Sequence, residues 1–157
     1  MLGLPPMPAW RYVDIPPTWL ATFLLAVWGI DRVSPNTLPT NPAIPVLGAI
    51  IALIGLGLIS AAVIEMRRYR TTIIPHQMPH NLVQTGVFRL SRNPIYLGDA
   101  CLLLAAILLF QAYLALFLLP IFILIIDRRF VYTEEFRIQR EFGEKYEAYK
   151  RLTRRWL

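Results

Sequence analysis

Cysteine is nearly absent from this sequence. The single Cys101 excludes an internal disulfide and any metal site built from cysteines, and no metal is expected. Inside an apolar run, that thiol reads as a small filler. Charge is also scarce, at 17% of 157 residues, and long stretches carry none. A soluble domain of this size is usually less apolar and more evenly charged. The N-terminal stretch MLGLPPMPAW lacks a basic start and is broken by prolines, so no cleavable signal peptide is evident.

What is abundant is apolar character: 56% of residues are hydrophobic and the mean hydropathy is +0.49. The charges that exist crowd mainly into residues 65–99 and 127–157, the pattern of a chain that meets two solvents. The length allows one domain. A net charge of +6 would suit a nucleic-acid partner. Here, however, the arginines flank apolar runs and do not line a polar surface. Such residues fix membrane topology and touch anionic head groups, so the expected partner is the bilayer and no nucleic acid.

Four apolar segments predict four transmembrane helices, at about 17–33, 44–66, 94–110 and 114–129. Between the first two, SPNTLPTNPAIP breaks any helix. The second segment contains Gly48, Ala52, Gly55, Gly57, Ser60 and Ala61, spacings that let a neighbouring helix, within the chain or in a homodimer, approach closely. Residues 67–93 form a polar loop with five arginines. Residues 100–126 then contain no charge. As one helix they would be about 40 Å long, more than a bilayer core needs. As a hairpin they split near Gln111, with two arms of roughly 25 Å each. Charge selects the hairpin. Residues 127–157 hold nine of the sixteen Lys and Arg residues. The positive-inside rule puts them on the same side as the basic loop, with both termini cytoplasmic.

The fold class expected is therefore all-α: a multi-pass integral membrane protein whose last two spans form a hairpin, followed by an amphipathic helical tail at 130–157. In the tail Phe142, Tyr146, Tyr149, Leu152 and Trp156 recur at helical spacing, and Glu141–Lys145 and Glu147–Arg151 are favourable pairs. Gly143 is expected to interrupt the helix. The tail can pack over the hairpin or lie in the membrane interface.

Two clusters bear chemistry. The first, HNLVQTGVFRLSRNPIYLGD, runs from His80 to Asp99. Pro94 suits a helix start and Asn93 an N-cap, so part of this segment reads as a capped span. Asp99 lies about one turn into the span, where a carboxylate is costly and is functional or paired, an arginine being the expected partner. The second cluster runs from Arg128 to Tyr149 and includes Glu134 and Glu135, which taken alone read as the acidic first turn of the tail. In the hairpin arrangement both clusters lie at one membrane face, as a polar pocket floored by apolar helices.

These segments together resemble the integral membrane methyltransferases related to isoprenylcysteine carboxyl methyltransferase and the phospholipid methyltransferases. The resemblance covers roughly residues 70–157. It rests on His80-Asn81-Leu82-Val83, Thr85-Gly86-Val87-Phe88, Arg92-Asn93-Pro94-Ile95-Tyr96-Leu97-Gly98, Glu134-Glu135, and Phe142-Gly143-Glu144-Lys145-Tyr146 with Tyr149. It implies S-adenosylmethionine as methyl donor, bound between the loop and the tail, and a lipid-soluble or membrane-borne acceptor. The cofactor contacts it implies fall on His80, Asn81, Leu82, Val83, Phe88, Arg92, Asn93, Pro94, Ile95, Tyr96 and Glu135. Isoprenylcysteine enzymes carry a histidine where Asn93 stands and a substrate-contacting arginine where Val131 stands; Arg128 or Arg129 would have to supply the latter. The candidate catalytic residues are Glu135, Asp99 and Arg129, with Asp99, Glu134 and His80 as candidate bases. Two alternatives belong to other classes. Tyr96-Leu97-Gly98-Asp99 resembles the nicotinamide-binding segment of NADPH-dependent sterol reductases, and a non-enzymatic membrane adaptor could keep the fold without binding either cofactor.

Overall fold

The computed structural model describes residues 14–33, 41–71 and 81–157, and among these the chain is helical with no strand. Helix α1 is Pro16–Val33, α2 is Ala43–Arg68 and α3 is Pro94–Leu109. Helix α4, Leu118–Ile126, is preceded by a 3-10 turn at Tyr113–Phe117 and followed by a π turn at Asp127–Val131, which leads into α5, Tyr132–Phe142. Helix α6, Glu144–Leu152, completes the tail.

Helices α2 and α3 lie antiparallel, and glycine sets their separation. A Cβ on Gly55 would come within 2.9 Å of the Gly98 carbonyl oxygen, and one on Gly98 within 2.8 Å of the Gly55 carbonyl oxygen. Gly48 meets Ala105 and Leu108 in the same way near the other end. Gly48, Gly55 and Ala62 recur every seven residues and are the buried positions of α2, so this seam lies within the chain. Gly57 faces open space. Helices α1 and α4 pack on the other side of α3. Phe23 meets Phe122 edge-to-face at 5.3 Å, within a core of Val27, Leu103, Ile107, Ile126 and Phe130.

The reversal between α3 and α4 falls inside the uncharged run. Gln111 adopts φ +53°, its N–H donates to the Leu108 carbonyl and that of Ala112 to the Ile107 carbonyl, the bonding of a Schellman motif. Helix α2 ends the same way, with Arg70 at φ +50° and the Thr71 N–H on the Met66 carbonyl. The start of α1, the end of α2, the start of α3 and the end of α4 thus share one end of the bundle.

Among the described residues one helix, Ala43–Arg68, is long and apolar enough to cross a membrane unaided, whereas Pro94–Leu109 is apolar but shorter. The bundle nevertheless turns apolar side chains outward on every helix: Leu25 is 68% exposed, Leu53 70%, Leu109 43% and Leu124 52%. A surface of this kind needs a non-aqueous neighbour.

Candidate functional site

The site lies at the shared end of the bundle, where segment 81–93 meets the tail. Three local features build it. Gly86, at φ +57°, lets the chain turn against Glu65, whose carboxylate carbon would lie 3.2 Å from any Cβ there. Thr85 donates its hydroxyl to Glu65 and lies 3.1 Å from the Tyr69 hydroxyl, which ties the segment to the end of α2. Gly143, at φ +50° and ψ −121°, breaks the tail helix in a conformation open almost only to glycine and folds α6 back over the segment. Tyr146 and Tyr149 are buried beneath this elbow, and the Tyr149 hydroxyl donates to the Phe88 carbonyl at 2.5 Å. Burial holds both phenols above the ordinary tyrosine range, and the nearby Glu135 carboxylate adds to the effect.

The centre is an ion-pair network. Arg92 places Nη2 at 2.9 Å and Nε at 3.1 Å from Glu135 Oε1, while its Nη1 donates to the Thr153 carbonyl at 2.9 Å. Arg155 takes the other oxygen, with Nη2 at 2.6 Å and Nε at 3.1 Å from Oε2. Its Nη1 reaches Asp127 at 3.3 Å, and the Trp156 indole N–H donates to the same carboxylate. The backbone beyond α6 closes the network. The Arg92 N–H donates to the Arg154 carbonyl, and both Ser91 Oγ and Asn93 Nδ2 donate to the Arg155 carbonyl. Glu135 thus connects segment 91–93 to residues 153–155.

Asn93 does stand at the N-cap position of α3, followed by Pro94 at the first turn, but its side chain makes no capping bond. The tail captures that amide instead. Tyr96 is buried and donates to Glu134 at 2.7 Å. Asp99 is 7% exposed and forms no ion pair among the described residues, so the arginine partner expected for it is not found there. Arg129 is drawn away from Glu135: it pairs with Asp14 at 2.7 Å and lies over the Trp19 ring. Arg128 is exposed and Val131 is fully buried. Ile95 and Pro94 belong to the first turn of α3, with Pro94 buried. His80 lies outside the described residues. Two expectations for the tail change. Leu152 is 84% exposed, because α6 ends there and Thr153 is extended. Lys150 pairs with Glu147 at a spacing of three, at 2.8 Å.

Sequence reading missed Asp127, Arg155, Ser91, Thr153 and Glu65. For Arg155 and Asp127 a weak signal existed, since opposite charges flank the tail at both ends. Nothing in the sequence marked Ser91 or Thr153.

Beside the network a cleft of about 390 Å³ opens between segment 81–85 and the elbow of the tail. Tyr69, Asn81, Leu82, Gln84, Thr85, Phe142 and Lys145 line it. That volume lies within the range of small-molecule sites, and the lining combines apolar and aromatic surface with amide and hydroxyl groups. Val83 is buried behind it, and Phe88 is half-buried on the neighbouring turn.

An apolar-surfaced helical bundle with a polar, ion-paired cap at one end defines a membrane-associated protein. The chain belongs to the phospholipid methyltransferase family, whose sequence model matches residues 43–145, about two thirds of its length. Comparison with curated proteins and with solved structures gives no match. The matched region holds α2, the cleft residues, Arg92 and Glu135, whereas Thr153, Arg155 and Trp156 lie beyond it.

Proposed function

We propose that the protein transfers a methyl group from S-adenosylmethionine to a lipid-soluble or membrane-borne acceptor, with the donor held between segment 81–98 and the tail. The observation that carries this reading is the cleft itself. It is walled by Asn81, Leu82, Gln84 and Thr85 on one side and by Phe142 and Lys145 on the other, in a chain of a methyltransferase family. The residues fit such a donor. The amides of Asn81 and Gln84 and the hydroxyl of Thr85 can read a nucleoside's edges, and Phe142 offers a stacking face. The donor supplies an electrophilic methyl group on a sulfonium centre. The chain's part is to align donor and acceptor in line and to exclude water. A carboxylate acceptor needs no base; an ammonium or thiol must first lose a proton. Asp99, buried and without an ion pair among the described residues, is our candidate for that base, whereas Glu134 already accepts from Tyr96.

Family membership favours this reading over the NADPH-dependent reductase alternative. Calorimetry on the detergent-purified protein tests the choice. S-adenosylhomocysteine binds and NADPH does not, and Gln84→Trp, which fills the cleft from an exposed position, abolishes the binding. Binding of NADPH alone overturns the methyltransferase reading, and silence toward both favours the adaptor.

The same reading includes four membrane crossings with both termini cytoplasmic. It is supported by the outward apolar side chains on all four helices and by the basic residues gathered at one end. Tags placed within residues 67–78 and after Leu157 report the same side of the membrane. Opposite sides would remove the hairpin topology.

A further inference from the structure

We propose that Arg155 is a positioning residue of the donor site, acting through Glu135 and itself held by Asp127. The proposal rests on the methyltransferase reading. Glu135 has two guanidinium neighbours, and they differ. Arg92 is 11% exposed in its side chain, and its third nitrogen is taken by the carbonyls of Thr153 and Lys150. It is locked on all sides. Arg155 is 35% exposed and holds its place through two carboxylates, Glu135 and Asp127. Hydrogen bonding to Glu135 pushes the Arg155 guanidinium above its ordinary range.

The geometry gives Arg155 two functions at once. Its guanidinium fixes Oε2 of Glu135, on α5, about two turns before the helix reaches Phe142 and the elbow. Its carbonyl receives Ser91 and Asn93, the residues that lead into α3. One residue therefore couples both walls of the cleft, the segment that carries Asn81–Thr85 and the α5–α6 elbow that carries Phe142 and Lys145. Asp127 touches neither wall. It lies in the π turn, and its carboxylate hydrogen-bonds only to Arg155 and Trp156 among the described residues, so the influence of that carboxylate on the cleft passes through residues 155–156.

A double-mutant cycle read by S-adenosylhomocysteine affinity tests the assignment. Arg155→Ala weakens binding by about tenfold, Asp127→Asn by less, and the double variant equals Arg155→Ala, because residues acting in one chain of contacts are not additive. Arg155→Lys, which cannot hold both carboxylates through a planar fork, falls between wild type and alanine. Millimolar guanidinium restores affinity to Arg155→Ala, whereas methylammonium does not, a signature that general loss of folding would not give. Unchanged affinity in Arg155→Ala, or additive effects in the double variant, overturns the positioning role while leaving the methyltransferase reading in place. Wild-type protein that binds no S-adenosylhomocysteine overturns both.

Discussion

Replacing Gly98 by alanine tests the packing that presents the site. In a helix the change alone gains up to about 1 kcal/mol, since alanine is the better helix former. The structure opposes it. The new Cβ would lie 2.5 Å from Ile59 Cγ1 and 2.8 Å from the Gly55 carbonyl oxygen. Ile59 can rotate, but the carbonyl is backbone and cannot yield without separating α2 from α3. Overpacking of this kind costs roughly 1–3 kcal/mol. Because both contacts are shorter than any ordinary approach, the upper part of that range applies, for a net loss of about 1–2 kcal/mol. For a chain of this size, that lowers Tm by roughly 2–8 °C. Gly57→Ala is the internal control: it lies in the same helical pair, on α2, and its Cβ meets nothing within 4 Å. It leaves Tm unchanged or raises it. Thermal unfolding followed by circular dichroism in one detergent measures both. Equal Tm values for Gly98→Ala and wild type, or a larger loss for Gly57→Ala, would refute the glycine-seam account.

Three further outcomes follow from the cap. Arg92→Ala strips one side of Glu135 and orphans the Thr153 and Lys150 carbonyls, so it destabilises by about 3 kcal/mol, at the lower end for a broken buried pair because Arg155 remains; Arg92→Lys does little better, and amide exchange across Tyr146–Tyr149 accelerates in both. Tyr149→Phe removes the bond to the Phe88 carbonyl and costs about 1 kcal/mol, measured by chemical denaturation. The raised pKa values of Tyr146 and Tyr149 have a definite sign in linkage. The unfolded chain gives up these protons near pH 10, before the folded one, so their contribution is complete below about pH 10 and is lost as the pH climbs above it. Stability measured against pH falls less steeply above that point in the Tyr146→Phe, Tyr149→Phe double variant, and parallel curves would contradict the buried phenols.

Much of the helical architecture was legible because its signals are local. Pro94 marks a helix start, having no N–H to leave unsatisfied. Gly143 marks a break, having no Cβ to forbid φ +50°. The uncharged run 100–126 is too long for one crossing, and the chain reverses at Gln111 within it. Other features were not legible. A seven-residue period selects Gly48 and Gly55 over Gly57, but only the position of α3 reveals it. The π turn at Asp127–Val131 adds a residue to one turn and rotates everything beyond it by roughly 100° relative to a continuous α-helix. The tail's helical stripe indicated Tyr146 and Tyr149 correctly, but not that Leu152 is exposed where α6 ends.

The sequence by itself determined that this chain is helical, apolar in long blocks, basic at particular junctions, and kin to the phospholipid methyltransferases. Each of these follows from residues close together in the chain. Only the tertiary structure decided who pairs with Glu135. Arg92 lies 43 residues before it and Arg155 lies 20 after it. A carboxylate accepts from any guanidinium that the fold delivers. Delivery depends on the Gly143 elbow, the π turn and the glycine seam acting together.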